Sequence, residues 1–328
     1  MPLFSTLRVI VTAGLVIAAG TLAQAQTTAE LPAIPKGKET DVKFYGTDNA
    51  VVTGRDAFER MDKADVTLWV AGNQFFAMDD VIGTYRARHP KESVGLITLP
   101  PGLLLQAIKA GGWTYEGTAY RGRPDIYASV NLGHLRALKS AGLMQNYSIY
   151  MHNELQIMVA KGNPKQIAGI KDLARADVRT SMPNPINEGI MQFYARKVLE
   201  RNGVWQAISG GKECVSCPTT PNNWFTAVHH RETPARIKAG QSDAGIVWKT
   251  EVLAALRAGA AIEAVTLPDD DSLRTEVSYA IGRLSDARHA DAAERVLAFL
   301  RSPAGQDTYA KYGFVKASAE DLAPKPIP

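Results

Sequence analysis

The stretch Val66-Thr67-Leu68-Trp69-Val70-Ala71-Gly72-Asn73-Gln74-Phe75 decides the fold. Residues 66–71 form an apolar run of strand length, and Gly72 punctuates it. Phe75, Met78, Ile82 and Tyr85 then recur at i, i+3, i+7 and i+10, which is one face of a helix. The unit returns at residues 94–99, where Pro100-Pro101-Gly102 leads into Leu104, Ala107 and Ile108. It returns again at 125–129, leading into 132–141. Repeated strand, turn and helix predicts an α/β fold with a mainly parallel sheet flanked by helices.

A second series begins at 154–160 and runs through 170–174, a strand at 178–182 and a long helix at 187–201. It closes with a helix at 234–239 and a strand at 244–248. Residues 250–314 return to helix, strand and helix, with Val296, Phe299 and Leu300 on a core face. Two similar α/β lobes are the simplest reading. Residues 26–65 read as an extension: Pro32 and Pro35 with Lys36-Gly37-Lys38 make a polar arm, and 56–62 has the texture of a short helix.

The first 25 residues read as a secretory leader, with Arg8 as the positive charge, an apolar run at 9–19 and the small-x-small pattern Ala23-Gln24-Ala25. Cleavage is expected after Ala25 and the mature chain is expected in the periplasm. About eleven apolar residues fall short of the roughly 20 that a spanning helix needs. Losing Arg8 lowers a formal net charge of +4 by one, too mild a balance to suggest a nucleic-acid partner. A hydrophobic fraction of 45% is ordinary for a globular chain, and 328 residues suit two domains after the leader.

Several strings in the second half resemble one family. They are Tyr150-Met151-His152-Asn153-Glu154-Leu155, Val159-Ala160-Lys161-Gly162-Asn163-Pro164, Ile170-Lys171-Asp172-Leu173, Lys238-Ala239-Gly240-Gln241-Ser242-Asp243-Ala244-Gly245-Ile246-Val247-Trp248 and Phe299-Leu300-Arg301-Ser302-Pro303-Ala304-Gly305-Gln306. In order and spacing they are similar to periplasmic molybdate-binding proteins, which feed ABC importers and have the type II solute-binding fold. The resemblance covers roughly residues 66–314. It implies a two-lobed clamp with two hinge crossovers, near 151–154 and 248–251. Lobe one would be 66–150 plus 252–328 and lobe two 151–251. It also implies a small oxyanion or metal-oxo ligand, a membrane permease of an ABC importer as partner, no cofactor, no catalysis and a monomer. Helix N-termini and the carboxyl ends of strands are independently suited to such a ligand.

Candidate ligand contacts follow from these loops. Asn73 and Gln74 offer amide donors where the family has Ser or Thr, although Asn at a helix start also serves as a cap. Pro101 and Gly102 form a second loop without the family's hydroxyl. Asn184, Asn187 and Glu188 lie in Ser181-Met182-Pro183-Asn184-Pro185-Ile186-Asn187-Glu188-Gly189, where turn chemistry is the competing explanation. His230, Arg231 and Glu232 open a helix. Glu232 stands where archaeal-type tungstate and molybdate binders, which resemble this stretch, carry a carboxylate to the metal centre; Glu188 is only near the second. A solvated helix start is the alternative for the whole cluster. Trp248 and Lys249 occupy the place of a ligand-touching Tyr, with a core role open for Trp248.

Cys214-Val215-Ser216-Cys217 leaves three readings: a disulfide, a redox pair, or a metal site of Cys214, Cys217, His229 and His230. That last cluster, with Glu232, also motivates an alternative function as a periplasmic metal carrier or a metal-dependent or redox enzyme; a ligand sensor is a further alternative. No Gly-x-Ser-x-Gly or His-Glu-x-x-His occurs to support catalysis.

Overall fold

Two mixed sheets organise the chain. The computed structural model describes Met1 and residues 30–34, 41–130, 132–274 and 276–328. The expected leader, its cleavage site and part of the proline-containing arm lie outside the described residues. Residues 31–328 form one compact unit. No described helix is long and apolar enough to cross a membrane.

The first sheet is centred on Val66–Ala71, with Val94–Leu99 and Ile126–Ser129 parallel on either side. Every residue of Val66–Ala71 is buried, as a strand covered on both faces requires. Side-chain alternation splits the core in two. Leu68, Val70 and Leu96 face the helix Phe75–Arg86 through Met78, Val81 and Ile82. Trp69, Ile97 and Leu99 face Pro101–Ala110 and Leu132–Ser140 through Leu104, Ile108 and Leu138. Outside this triplet the pairing is antiparallel: Ser278–Arg283 lies against Ile126–Ser129, and Asn146–His152 lies beyond it. The second sheet runs Cys217–Thr220, Asn223–Thr226, Thr180–Pro183, Ala244–Trp248, Leu155–Ala160, Ile262–Thr266. Its parallel triplet is Asn223–Thr226, Thr180–Pro183 and Ala244–Trp248. The expected two-lobed α/β architecture is present, with parallel pairing confined to the centre of each sheet.

Strand pairing differs from the sequence reading at two places. Val42–Tyr45, expected in a separate extension, pairs antiparallel with Val94–Leu99 and buries Val42 and Phe44, so the arm supplies a strand to the first sheet. Ile262–Thr266, expected in lobe one, pairs with Leu155–Ala160 in the second sheet. The helix Lys249–Arg257 thus belongs with the second sheet. The chain returns to the first only between Thr266 and Ser278, whereas the outward crossing, at Asn153 and Glu154, lies where it was expected. Lys161-Gly162-Asn163-Pro164 is a turn: φ is 79° at Gly162 and 44° at Asn163, whose side chain bonds the backbone of Ile167.

Candidate functional site

Both parallel triplets aim their carboxyl ends at one small cavity of about 10 Å³. From the first sheet come Gly72 and Asn73, Pro100 and Pro101, and Val130, each just past a central strand. From the second come Glu188, Gly189 and Ile190, then His229 and His230, and Trp248. Six strand ends therefore wall a space of about one water molecule. A larger hollow of about 150 Å³ lies on the first sheet beside Trp69 and Trp113. Two of its arginines are paired, Arg123 with Asp286 and Arg288 with Asp62, and no described strand of the second sheet reaches it, so the convergence of strand ends points to the smaller cavity.

Glycine brings the two sides together at three points. A Cβ on Gly102 would sit 2.8 Å from the carbonyl oxygen of Asn187, one on Gly189 2.6 Å from Val130, and one on Gly72 2.9 Å from the His230 ring. The Gly102 N–H donates to Asn187 O at 3.2 Å, and the Tyr194 hydroxyl donates to Val130 O at 2.7 Å. Tyr194 lies on a π-helical turn, Met191–Ala195, of the kind that often marks functional sites.

Glu188, His229 and Glu251 form a buried ionic row. The Nδ1 of His229 lies 2.7 Å from Glu188 Oε2, and its Nε2 lies 3.1 Å from Glu251 Oε1. The second contact is close, yet neither atom makes a hydrogen bond of acceptable geometry. Burial opposes charge on His229, but the carboxylates of Glu251 and Glu188 outweigh it and push its pKa up to about 10. Burial also raises that of Glu251, against the pull of His229. Glu251 is held from behind: its Oε2 accepts the Trp248 N–H at 3.0 Å, because it is the third residue of its helix and reaches back to the residue before the helix. The His230 ring stacks on Phe75, with centroids 5.1 Å apart, and stands at 89° to the His229 ring.

Of the expected contacts, Asn73, Pro101, Glu188, His230 and Trp248 line the cavity, and Gly102 and Asn187 form the contact beside it. Asn73 donates from Nδ2 to the Tyr279 hydroxyl, which leaves its Oδ1 buried without a partner. Other expected contacts are engaged elsewhere. Gln74 is fully buried, and its Oε1 accepts from the hydroxyls of Tyr150 and Tyr309 at 2.7 and 3.1 Å. Asn184 shapes its own turn, accepting from the N–H groups of Ile186 and Asn187 at 3.0 Å. Glu232 accepts from the N–H groups of Ala227 and Val228 at 3.0 and 2.9 Å, so it caps the helix His229–Lys238. Arg231 pairs with the buried Asp41 and lies over the Phe75 ring. Lys249 pairs with Glu154 at 2.9 Å. Cys214 and Cys217 are bonded to each other, which removes both thiols from the four-ligand metal set.

Sequence reasoning missed Glu251 and Asp41. Glu251 carried a signal, a Glu three residues after a strand-ending Trp248, which is the spacing of a helix-capping carboxylate. Asp41 carried none, because its role arises from pairing of the arm with the first sheet.

Residues 66–315 match the family described as bacterial extracellular solute-binding protein. A sulfate-binding protein of Synechococcus elongatus is 23% identical over 215 residues, which is 61% of this chain and 60% of that protein. A putative ABC transporter substrate-binding lipoprotein of Bacillus subtilis is 21% identical over 167 residues, 49% of this chain and 55% of that one. The chain thus spans less than two-thirds of the length of these curated relatives. Among solved structures, the periplasmic molybdate-binding protein of Azotobacter vinelandii superposes with a TM-score of 0.60 at 14% identity, over 77% of this chain and 100% of that one. At that identity the likeness is one of fold.

Proposed function

This chain belongs to the bacterial extracellular solute-binding protein family, and from that premise we propose that it is a receptor delivering a small inorganic solute to the permease of an ABC importer. The cargo class is a small oxyanion or a metal-oxo species, in keeping with the names of the sulfate- and molybdate-binding relatives. One observation carries the reading: two parallel strand triplets, one from each sheet, end on a single cavity lined by Asn73, Glu188, His229, His230 and Trp248. Ligand held there touches both lobes, so binding and lobe closure are one event.

The two lobes meet through short connections at Asn153 to Glu154 and at residues 267–277, and these serve as hinges. The receptor acts as a non-catalytic monomer without a nucleic-acid partner, after removal of the leader at Ala25. Calorimetric titration with molybdate, tungstate, sulfate and divalent metals tests the reading, together with small-angle scattering. A one-to-one response with a fall in radius of gyration supports it. Silence toward every solute, or binding with no change in dimensions from an open ligand-free form, refutes it.

A further inference from the structure

The cavity holds more metal-ligating chemistry than an oxyanion seat requires. We propose that it is a transition-metal site in which His229, His230 and Glu251 bind a divalent first-row cation, with Glu188 orienting His229 from behind. The inference rests on the receptor reading above and goes beyond its cargo class, because a divalent cation is neither an oxyanion nor a metal-oxo species.

Geometry supports the three ligands. One donor atom from each of His229, His230 and Glu251 lies within 4.8 Å of the other two, and all three residues are buried. A tetrahedral zinc-like shell with bonds of about 2.0–2.2 Å places its donor atoms about 3.4 Å apart. Reaching that spacing requires the widest pair of donors to close by no more than about 1.4 Å. The Nε2 of His229 and Oε1 of Glu251 are already 3.1 Å apart, and both are buried without an acceptable hydrogen bond. In the metal-free protein these two atoms face each other as an ion pair, and a cation bound by both would take the place of the proton between them.

The surroundings hold the donors in place. Glu188 Oε2 engages the Nδ1 side of His229, which turns Nε2 toward Glu251. That is the carboxylate–histidine–metal relay by which metalloproteins fix an imidazole. Glu251 keeps one oxygen on the Trp248 N–H and presents the other. Binding releases the His229 proton to solvent, and with both imidazoles then neutral the two buried carboxylates balance a divalent cation. Two imidazoles and a carboxylate suit zinc, nickel, cobalt, iron and divalent copper. Magnesium and calcium prefer oxygen alone, and monovalent copper prefers sulfur. Asn73 and Trp248 line the cavity, and their buried, unpartnered Oδ1 and Nε1 would face a water completing the shell of a bound cation.

The test uses untagged protein stripped with a chelator and titrated with Zn²⁺, Co²⁺ and Mg²⁺, with molybdate and sulfate in parallel. One equivalent of Zn²⁺ or Co²⁺ should bind, Co²⁺ should develop the visible absorption of a low-coordinate nitrogen and oxygen site, and Mg²⁺ should be silent. His230→Gln and Glu251→Gln should each weaken binding at least about tenfold, and Glu188→Gln by about 10- to 100-fold, with circular dichroism unchanged. The Co²⁺ spectrum of the unaltered protein reads the donor set even if a variant fails to fold. Absence of one-to-one Zn²⁺ and Co²⁺ binding overturns the inference, as does metal binding that both His230→Gln and Glu251→Gln leave intact. If molybdate or sulfate binds while the metals do not, the metal inference falls and the receptor reading stands. Silence toward all five solutes overturns both.

Discussion

Replacing Gly102 with Ala should weaken ligand binding while leaving the protein folded. The added methyl would lie 2.8 Å from the carbonyl oxygen of Asn187 and 2.9 Å from its Cα, both backbone atoms of the opposing lobe. Neither can swing aside as a side chain would, so the lobes must stand apart or strain. Overpacking of that kind costs about 1–3 kcal/mol, and because it arises only when the lobes meet, it subtracts from the free energy of closure. At 1.4 kcal/mol per decade, affinity should fall about 5- to 150-fold. Gly102 also sits in the first turn of Pro101–Ala110, where alanine suits a helix better than glycine. Thermal stability of the ligand-free, open form should therefore hold or rise, the opposite sign to affinity. Gly83→Ala is the control, because a Cβ there meets nothing within 4 Å. Calorimetry with Zn²⁺, or with molybdate if the solute panel selects the oxyanion, measures the change. If folded Gly102→Ala binds within about twofold of the unaltered protein, approach of the lobes at Gly102 is no part of binding.

Three further outcomes follow from named contacts. Glu232→Ala removes the acceptor of two helix-start N–H groups, so it should cost about 1 kcal/mol of stability and leave affinity within about twofold; a large affinity loss in folded protein would return Glu232 to the ligand. Because the folded-state pKa of His229 is raised to about 10, its contribution to metal-free stability is fully present below the ordinary imidazole range, near pH 6.5, and is lost as pH rises through about 10. Melting curves of chelator-treated protein should fall more between pH 6.5 and 9.5 than those of His229→Gln; equal slopes would show that the row of charges does not couple to folding. Replacing Cys214 and Cys217 together by Ser opens a loop with a sequence separation of only 3, so the loss should be about 2 kcal/mol by chain entropy. Binding should be unchanged, and a loss of binding would place this loop in the site.

The repeating strand-turn-helix texture from Val66 onward was legible because full burial leaves a continuous apolar run and a helix face leaves a 3.6-residue period. Sheet membership was less legible. Ile262–Thr266 pairs with Leu155–Ala160 about a hundred positions away, and nothing in its own composition says which sheet it joins. In the site, the second-lobe loops were found because polar residues crowd past strand ends, but their division of labour was not. His229 and Glu232 are both polar residues in the first turn of one helix. One faces two buried carboxylates and the other, a turn further along nearly the same face, reaches back to the bare N–H groups that precede the helix.

The two lobes contribute unlike things to the cavity. Its ionisable groups, Glu188, His229 and His230, and Glu251 beside His229, all follow strands of the second sheet. The first sheet brings Asn73, Pro100, Pro101 and Val130, which carry no charge and pack against the second through Gly102 and Gly189. Hydroxyls are missing from the first-lobe loops, and the ionic chemistry is concentrated opposite them. On the proposed reading, a ligand is held by one lobe and covered by the other. Substitutions at Glu188, His230 or Glu251 should change what is bound, whereas a methyl at Gly102 should change how tightly the same solute is enclosed.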